Sequence, residues 1–146
     1  MRQILFRGKR IDNGEWVYGF YAMHRSPGRD SRDGQRQPIP AHDECLIITY
    51  PTWQTHEVHP ATIGQFTNLT DRHGTKIFEG DVYTFTNDDG TKTKPVQIGF
   101  NLGKFAGIIR FGENGTDTLT IDYLHYSERI EILGNIHDNP ELVNRL

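Results

Sequence analysis

The side chains able to do chemistry fall into four groups, and the first is His56-Glu57-Val58-His59. On a helix, two imidazoles at this spacing share a face and can hold one metal ion. In a strand they project to opposite faces, because side chains alternate with period two. Pro60 follows immediately and pushes His59 toward extended backbone. The helical zinc-protease signature also needs one more residue between the histidines. Solvated strand histidines are therefore expected here.

The second group is His42-Asp43-Glu44-Cys45. A thiolate beside an imidazole suits zinc, but a structural site closes a tetrahedron of four ligands, and one cysteine with no spaced partner does not supply it. As a nucleophile Cys45 would need a base such as His42 or His125. It opens an apolar run, Cys45 to Tyr50, so a small buried hydrophobe is the expectation. The third group is acidic: Glu79, Asp81, Asp88 and Asp89. Asp88-Asp89-Gly90 lacks the remaining spacing of a calcium loop and suits a tight turn. No phosphate-loop or dinucleotide pattern is present. Neither a catalytic set, nor a metal site, nor a cofactor is assigned.

The fourth group is basic and aromatic. Arg7, Lys9 and Arg10 lie near the first turn, and Arg25, Arg29, Arg32 and Arg36 punctuate a polar stretch. With Trp16, Tyr18, Phe20 and Tyr21 as stacking rings, they are the candidate nucleic-acid contacts, since small barrels bind strands through loops and aromatic faces. The reading that outweighs this one is that alternate aromatics fill the core and the arginines keep the stretch solvated. The net charge of −3 argues against a protein that coats nucleic acid non-specifically.

These groups must be positioned by strands. Asp12-Asn13-Gly14 is a turn between Gln3–Arg10 and the aromatic run Glu15–Tyr21, which together predict a β-hairpin. Further strands are expected at Cys45–Tyr50, Trp53–Val58, Gly64–Thr67, Lys76–Phe78, Val82–Phe85, Thr93–Phe100, Phe105–Phe111 and Arg129–Leu133. Val82–Phe85 alternates as a half-buried strand does, and Ile130 and Ile132 should share a face. Leu119–Tyr126 fits a strand or a short helix. Short helical turns are expected at Pro60–Ile63 and Pro140–Val143, the second with Asn139 as N-cap. His24–Pro40 has almost no apolar residue and is expected to be a long mobile loop.

Many short strands between Gly, Asn and Asp turns predict a mostly β fold, a small barrel or sandwich of antiparallel strands, in one domain over 1–146. The chain has 146 residues, 35% hydrophobic and 11% aromatic, enough for a core without metal or disulfide. A single cysteine, no signal-peptide run and no stretch near the ~20 apolar residues of a membrane helix make the cytoplasm the default compartment, with no membrane partner.

Three segments together resemble the YopX-like proteins of bacteriophages and prophages. They are Ile4–Lys9 with Trp16–Gly19, then Ile63–Asp71 with Gly74–Val82, then Ile130–Ile136 with Asn139–Leu142. The resemblance implies a phage or prophage origin, a bacterial host cell and a β-rich fold, and it implies no reaction. Within the matched motifs Gly64, Gln65, Gly74, Glu79, Gly80, Asp81, Gly134, Asn135 and Pro140 read as shape-setting residues. Gly80 permits a bend, and the flanking carboxylates accept backbone N–H groups freed by it. The leading expectation is a non-enzymatic accessory protein that binds a macromolecular partner, a host or phage protein or a further copy of itself. A single-stranded DNA or RNA module is the second reading. A metal-assisted enzyme using His42, His56 or Cys45 is the third.

Overall fold

The chain reverses first at Asp12-Asn13-Gly14, where Gly14 takes φ +70° and its N–H bonds Arg10 O at 3.0 Å. This joins β1 (Phe6–Lys9) to β2 (Trp16–Ser26), with Phe6 opposite Gly19 and Lys9 opposite Trp16. The computed structural model describes residues 1–28, 37–111, 115, 117–122 and 124–143. Its contacts divide the chain into two units, Leu5–Ile63 and Met1–Ile4 with Gly64–Leu146.

In the unit Leu5–Ile63, β3 (His42–Ile48) and β4 (Thr55–Glu57) follow β2, and all pairs are antiparallel in the order β4-β3-β2-β1. Ile47 and Val58 are fully buried at its centre. Val58 packs against Gly8, where a Cβ would come within 2.9 Å of its methyl. A helical turn at Pro60–Thr62 carries Pro in its first turn, and Thr62 Oγ1 accepts Lys9 N–H at 2.8 Å.

β2 is longer than the sequence reading allows. His24, Arg25 and Ser26, expected to open a loop, pair with Glu44, Asp43 and His42. Ladder hydrogen bonds and side-chain pairs hold them where apolar burial does not: Arg25 and Asp43, of opposite charge, bond at 3.1 Å, and His24 and Glu44 share a hydrogen bond at 3.2 Å. Most of the remaining expected loop, residues 29–36, lies outside the described residues.

The other unit contains a hairpin, β5 (Gly64–Thr70) with β6 (Lys76–Phe78), and a sheet in the order β10-β9-β8-β7-β11. Its strands are β7 (Asp81–Phe85), β8 (Val96–Asn101), β9 (Lys104–Phe111), β10 (Asp117–Ile121) and β11 (Ile130–Asn135). The core joins Ile77, Tyr83, Phe85, Val96, Ile98, Leu124 and Ile130, with Ile132 packed against it. Ile130 and Ile132 thus share a face, as their alternation predicts. β7 does not keep the half-buried pattern expected of it: every residue from Asp81 to Phe85 is buried, Thr84 included. It lies inside the sheet, between β8 and β11.

β8 starts at Val96 rather than Thr93. Thr93 instead exchanges bonds with Phe85, donating N–H at 2.9 Å and accepting on Oγ1 at 3.0 Å, and Pro95 has no N–H for a ladder. The ambiguous Leu119–Tyr126 divides into the end of β10 and a 3-10 segment, Leu124–Arg129.

The reversal Glu79-Gly80-Asp81 is built by its side chains. Gly80 takes φ +86°, Asp81 Oδ2 accepts Phe78 N–H at 2.8 Å, and Glu79 Oε1 accepts Gln65 N–H at 2.9 Å. Near Gly74, Asp71 holds the turn from within: Oδ1 accepts from His73 (2.8 Å) and Thr75 (2.9 Å), and Oδ2 reaches Ile132 N–H at 3.1 Å in β11. A register shift between Ile132 and Gly134 marks a bulge, after which Asn135 Oδ1 accepts His137 and Asp138 N–H at 3.0 and 2.9 Å. Asn139 is not a side-chain N-cap for the turn Pro140–Leu142. Its Oδ1 points back to Asn135 N–H, and lies 2.3 Å from where a Cβ on Gly134 would be.

The fold is thus mostly β, with short 3-10 turns and antiparallel sheets. Of the two alternatives read from sequence, the sheets follow the open one: the five-stranded sheet ends at β10 and β11 rather than closing into a barrel. Among the described residues no helix is long and apolar enough to cross a membrane.

Candidate functional site

Alternation along β2 sends Tyr18, Phe20, Ala22 and His24 to one face, and the register adds Ile48, Leu46 and Glu44 from β3 to that same face. The opposite side at the middle of the strand is Gly19, whose Cβ would lie 2.1 Å from Ile48 O. The aromatics therefore do not all fill a core. Tyr18 is 47% and Phe20 46% exposed, contrary to the expectation that they are buried.

The connection between β3 and β4 adds two rings. Trp53 stacks on Phe20 with centroids 6.1 Å apart and planes 19° apart, and Tyr50 meets Trp53 edge-on at 5.4 Å. Trp53 is 63% and Tyr50 68% exposed. The backbone of Trp53 is left-handed, φ 55°, a conformation that costs a non-glycine residue of order 1–2 kcal/mol. Bonds from Trp53 N–H to Thr49 O and from Thr49 N–H to Gln54 O, both 2.9 Å, hold it there. The result is a shelf of three rings facing solvent, close to the geometry aromatic pairs favour.

Further along the face stand polar groups. His42 Nε2 is 3.4 Å from Glu44 Oε1, and His24 Nδ1 is 3.2 Å from Glu44 Oε2. Glu57, opposite Leu46, joins His42 and Glu44 so that one ligand-type atom from each lies within 4.8 Å of the others. Glu57 belongs to the His56–His59 segment, yet sequence reasoning weighed the histidines there and missed the carboxylate. Its signal was the alternation that sets Glu57 and His56 on opposite faces. His56 lies opposite Ile47 and shares the face of Cys45, which lies opposite Met23. The trio His42, His56 and Cys45 is thus split between two faces. Cys45 Sγ lies 3.9 Å from the Tyr21 hydroxyl, a contact that, with burial, raises the Tyr21 pKa.

The basic residues near this face are engaged. Arg7 is 6% exposed, with its guanidinium 4.6 Å over the Trp16 ring, and Lys9 Nζ lies 5.7 Å from the same ring. Arg10 bonds Asp12 through two nitrogens, raising its own pKa and lowering that of Asp12. Arg25 bonds Asp43. Arg29, Arg32 and Arg36 lie outside the described residues.

In the other unit, a cleft of about 500 Å³ is lined by Phe85, Asn87, Asp88, Asp89, Tyr126 and Arg129. Its carboxylates are committed. Asp88 pairs with Arg129, and Asp89 Oδ1 accepts the Thr91 hydroxyl (2.6 Å) and N–H (2.9 Å), which lowers its pKa. One closes a turn and the other holds an arginine.

These features define a small, mostly β protein of open antiparallel sheets carrying an exposed aromatic shelf. The profile of a family described as "YopX protein" matches residues 5–144. The chain belongs to the YopX family, as its three motif segments indicate. It is also similar to a solved structure, the crystal structure of protein EF1440 from Enterococcus faecalis, at 20% identity over 98% of this chain and 99% of that one, with a TM-score of 0.48. Comparison with curated proteins gives no match.

Proposed function

We propose that the chain is a non-enzymatic accessory protein of a phage or prophage, acting in the bacterial cytoplasm, that binds a protein partner through the shelf of Phe20, Tyr50 and Trp53. The shelf carries the reading: three large rings held in mutual contact yet half or more exposed, except that Phe20 falls just short at 46%. Rigid aromatic anchors are the side chains that dominate protein interfaces, because they bury much area at little entropy cost. The left-handed Trp53 supports it, since strained backbone gathers where a side chain must be held for use. Family membership supports the phage setting.

A protein partner is favoured over a nucleic acid because a phosphate backbone needs available cations. Among the described candidate residues, Arg7 is buried, Lys9 lies by the Trp16 ring, and Arg10 and Arg25 hold carboxylates, while the net charge of the chain is −3. The test is capture by the immobilised chain from infected or lysogenic cells, with Phe20→Ala and Trp53→Ala as controls. A prey bound by the parent and lost from both variants, each with an unchanged far-UV circular dichroism spectrum, is expected. Light scattering that shows a dimer dissolved by Trp53→Ala would make the partner a second copy. Prey retained by both variants, or salt-dependent binding of a labelled oligonucleotide in its place, overturns the reading.

A further inference from the structure

His42, Glu44 and Glu57 are brought together by the ladder alone. His42 and Glu44 are alternate residues of β3 and so share a face. Glu57 reaches that face because β4 sets it opposite Leu46, the next residue on the same side. One atom from each lies within 4.8 Å of the others. The donor set is one imidazole nitrogen and two carboxylate oxygens.

Two neighbours fix how these groups point. His42 Nδ1 is 3.0 Å from Pro40 O, and a carbonyl only accepts, so Nδ1 carries the proton. Nε2 is then the nitrogen turned toward Glu44 Oε1, at 3.4 Å. Nε2 and Glu44 Oε1 thus point at each other from within ligand reach of a common ion, and in the neutral imidazole Nε2 offers it a lone pair. His24 Nδ1, 3.2 Å from Glu44 Oε2, engages the other carboxylate oxygen and leaves Oε1 for that cation. A backbone carbonyl orienting the ligand imidazole, and a hydrogen-bonded ligand carboxylate, are the usual outer supports of a metal site.

We propose that His42 Nε2, Glu44 and Glu57 bind a first-row divalent cation of the zinc type, with water completing the coordination. Atoms about 2.1 Å from a tetrahedral zinc lie about 3.4 Å from one another, and the His42–Glu44 pair stands at 3.4 Å. The imidazole selects zinc-like ions over calcium and magnesium, which prefer oxygen throughout. Two carboxylates at this spacing repel, and a divalent charge balances both. The site is independent of the aromatic shelf and stands or falls without it.

The test is isothermal titration of the chelator-stripped, tag-free full chain with zinc chloride near neutral pH. One equivalent is expected to bind. His42→Ala and Glu57→Gln are each expected to weaken it tenfold or more, and His24→Ala to weaken it less. His56→Ala, on the opposite face, is expected to leave it unchanged. Cobalt(II) supplies a second readout, a visible absorption band lost in His42→Ala. Circular dichroism checks each variant, and if His42→Ala does not fold, Glu57→Gln alone decides. No binding by the parent, binding that Glu57→Gln leaves within twofold, or equal loss in His56→Ala overturns the proposal.

Discussion

Replacing Asp71 tests whether a single buried carboxylate ties the Gly74 turn to β11. Asp71 is 6% exposed and accepts three backbone N–H groups, from His73, Thr75 and Ile132. His73 and Thr75 are exposed, so water can replace part of what they lose, whereas Ile132 is half-buried. Asp71→Ala should therefore cost about 2–3 kcal/mol, dominated by the stranded Ile132 donor. Asp71→Asn keeps one acceptor oxygen for the turn but sets an NH2 against Ile132 N–H, and should cost about 1–2 kcal/mol.

The pH dependence follows from the same contacts. Burial alone would raise the Asp71 pKa, but the three N–H donors outweigh it and hold it below the ordinary value. A carboxylate depressed in the folded state contributes fully above its unfolded pKa of about 3.9 and loses that contribution as pH falls through the lower folded value. The stability gap between parent and Asp71→Asn should thus be widest above pH ~5 and close below pH ~4. Urea unfolding followed by circular dichroism measures the gap, and amide exchange should lose protection at Ile132 first. A gap below ~0.3 kcal/mol near neutrality, or one that widens on acidification, would refute the account.

Gly19→Ala drives a Cβ to 2.1 Å from Ile48 O and must part β2 from β3, costing about 2–3 kcal/mol. Both tryptophans, Trp16 and Trp53, lie in the unit Leu5–Ile63, so a fall in the fluorescence-detected midpoint should report it, and no change would count against the close approach. Ile130 is fully buried opposite Phe85. Ile130→Ala should cost about 3–4 kcal/mol and Ile130→Val about 1, readable in urea midpoints, and equal effects would place the side chain outside a packed core.

Short-range chemistry was legible where it is local. Asn13-Gly14 specified its turn because only a residue tolerant of positive φ closes it, and Glu79-Gly80-Asp81 announced a bend with carboxylates for the freed N–H groups. The alternation of Ile130 and Ile132 marked a core face directly. The motif segments resembling YopX proteins indicated the family. Other features were not local. The polar end of β2 looked like loop because its sequence lacks apolar residues, and only pairing with β3 supplies the ladder and opposite charges that hold it extended. Asn139 was read as a cap from its place before Pro140, but the bulge in β11 turns its amide back to Gly134 and Asn135.

What the sequence determined by itself is therefore the mostly β class, the turn positions and the alternating faces, since each depends on backbone preference and period within a few residues. What only the tertiary structure decided is which face meets solvent and which distant groups meet each other. Tyr18 and Phe20 lie on the face that stays exposed, which their alternation along β2 does not reveal. The convergence of His42, Glu44 and Glu57 depends on the register of β4 against β3. Registry between strands is set by the packing of the whole sheet, and a list of residues along one strand does not contain it.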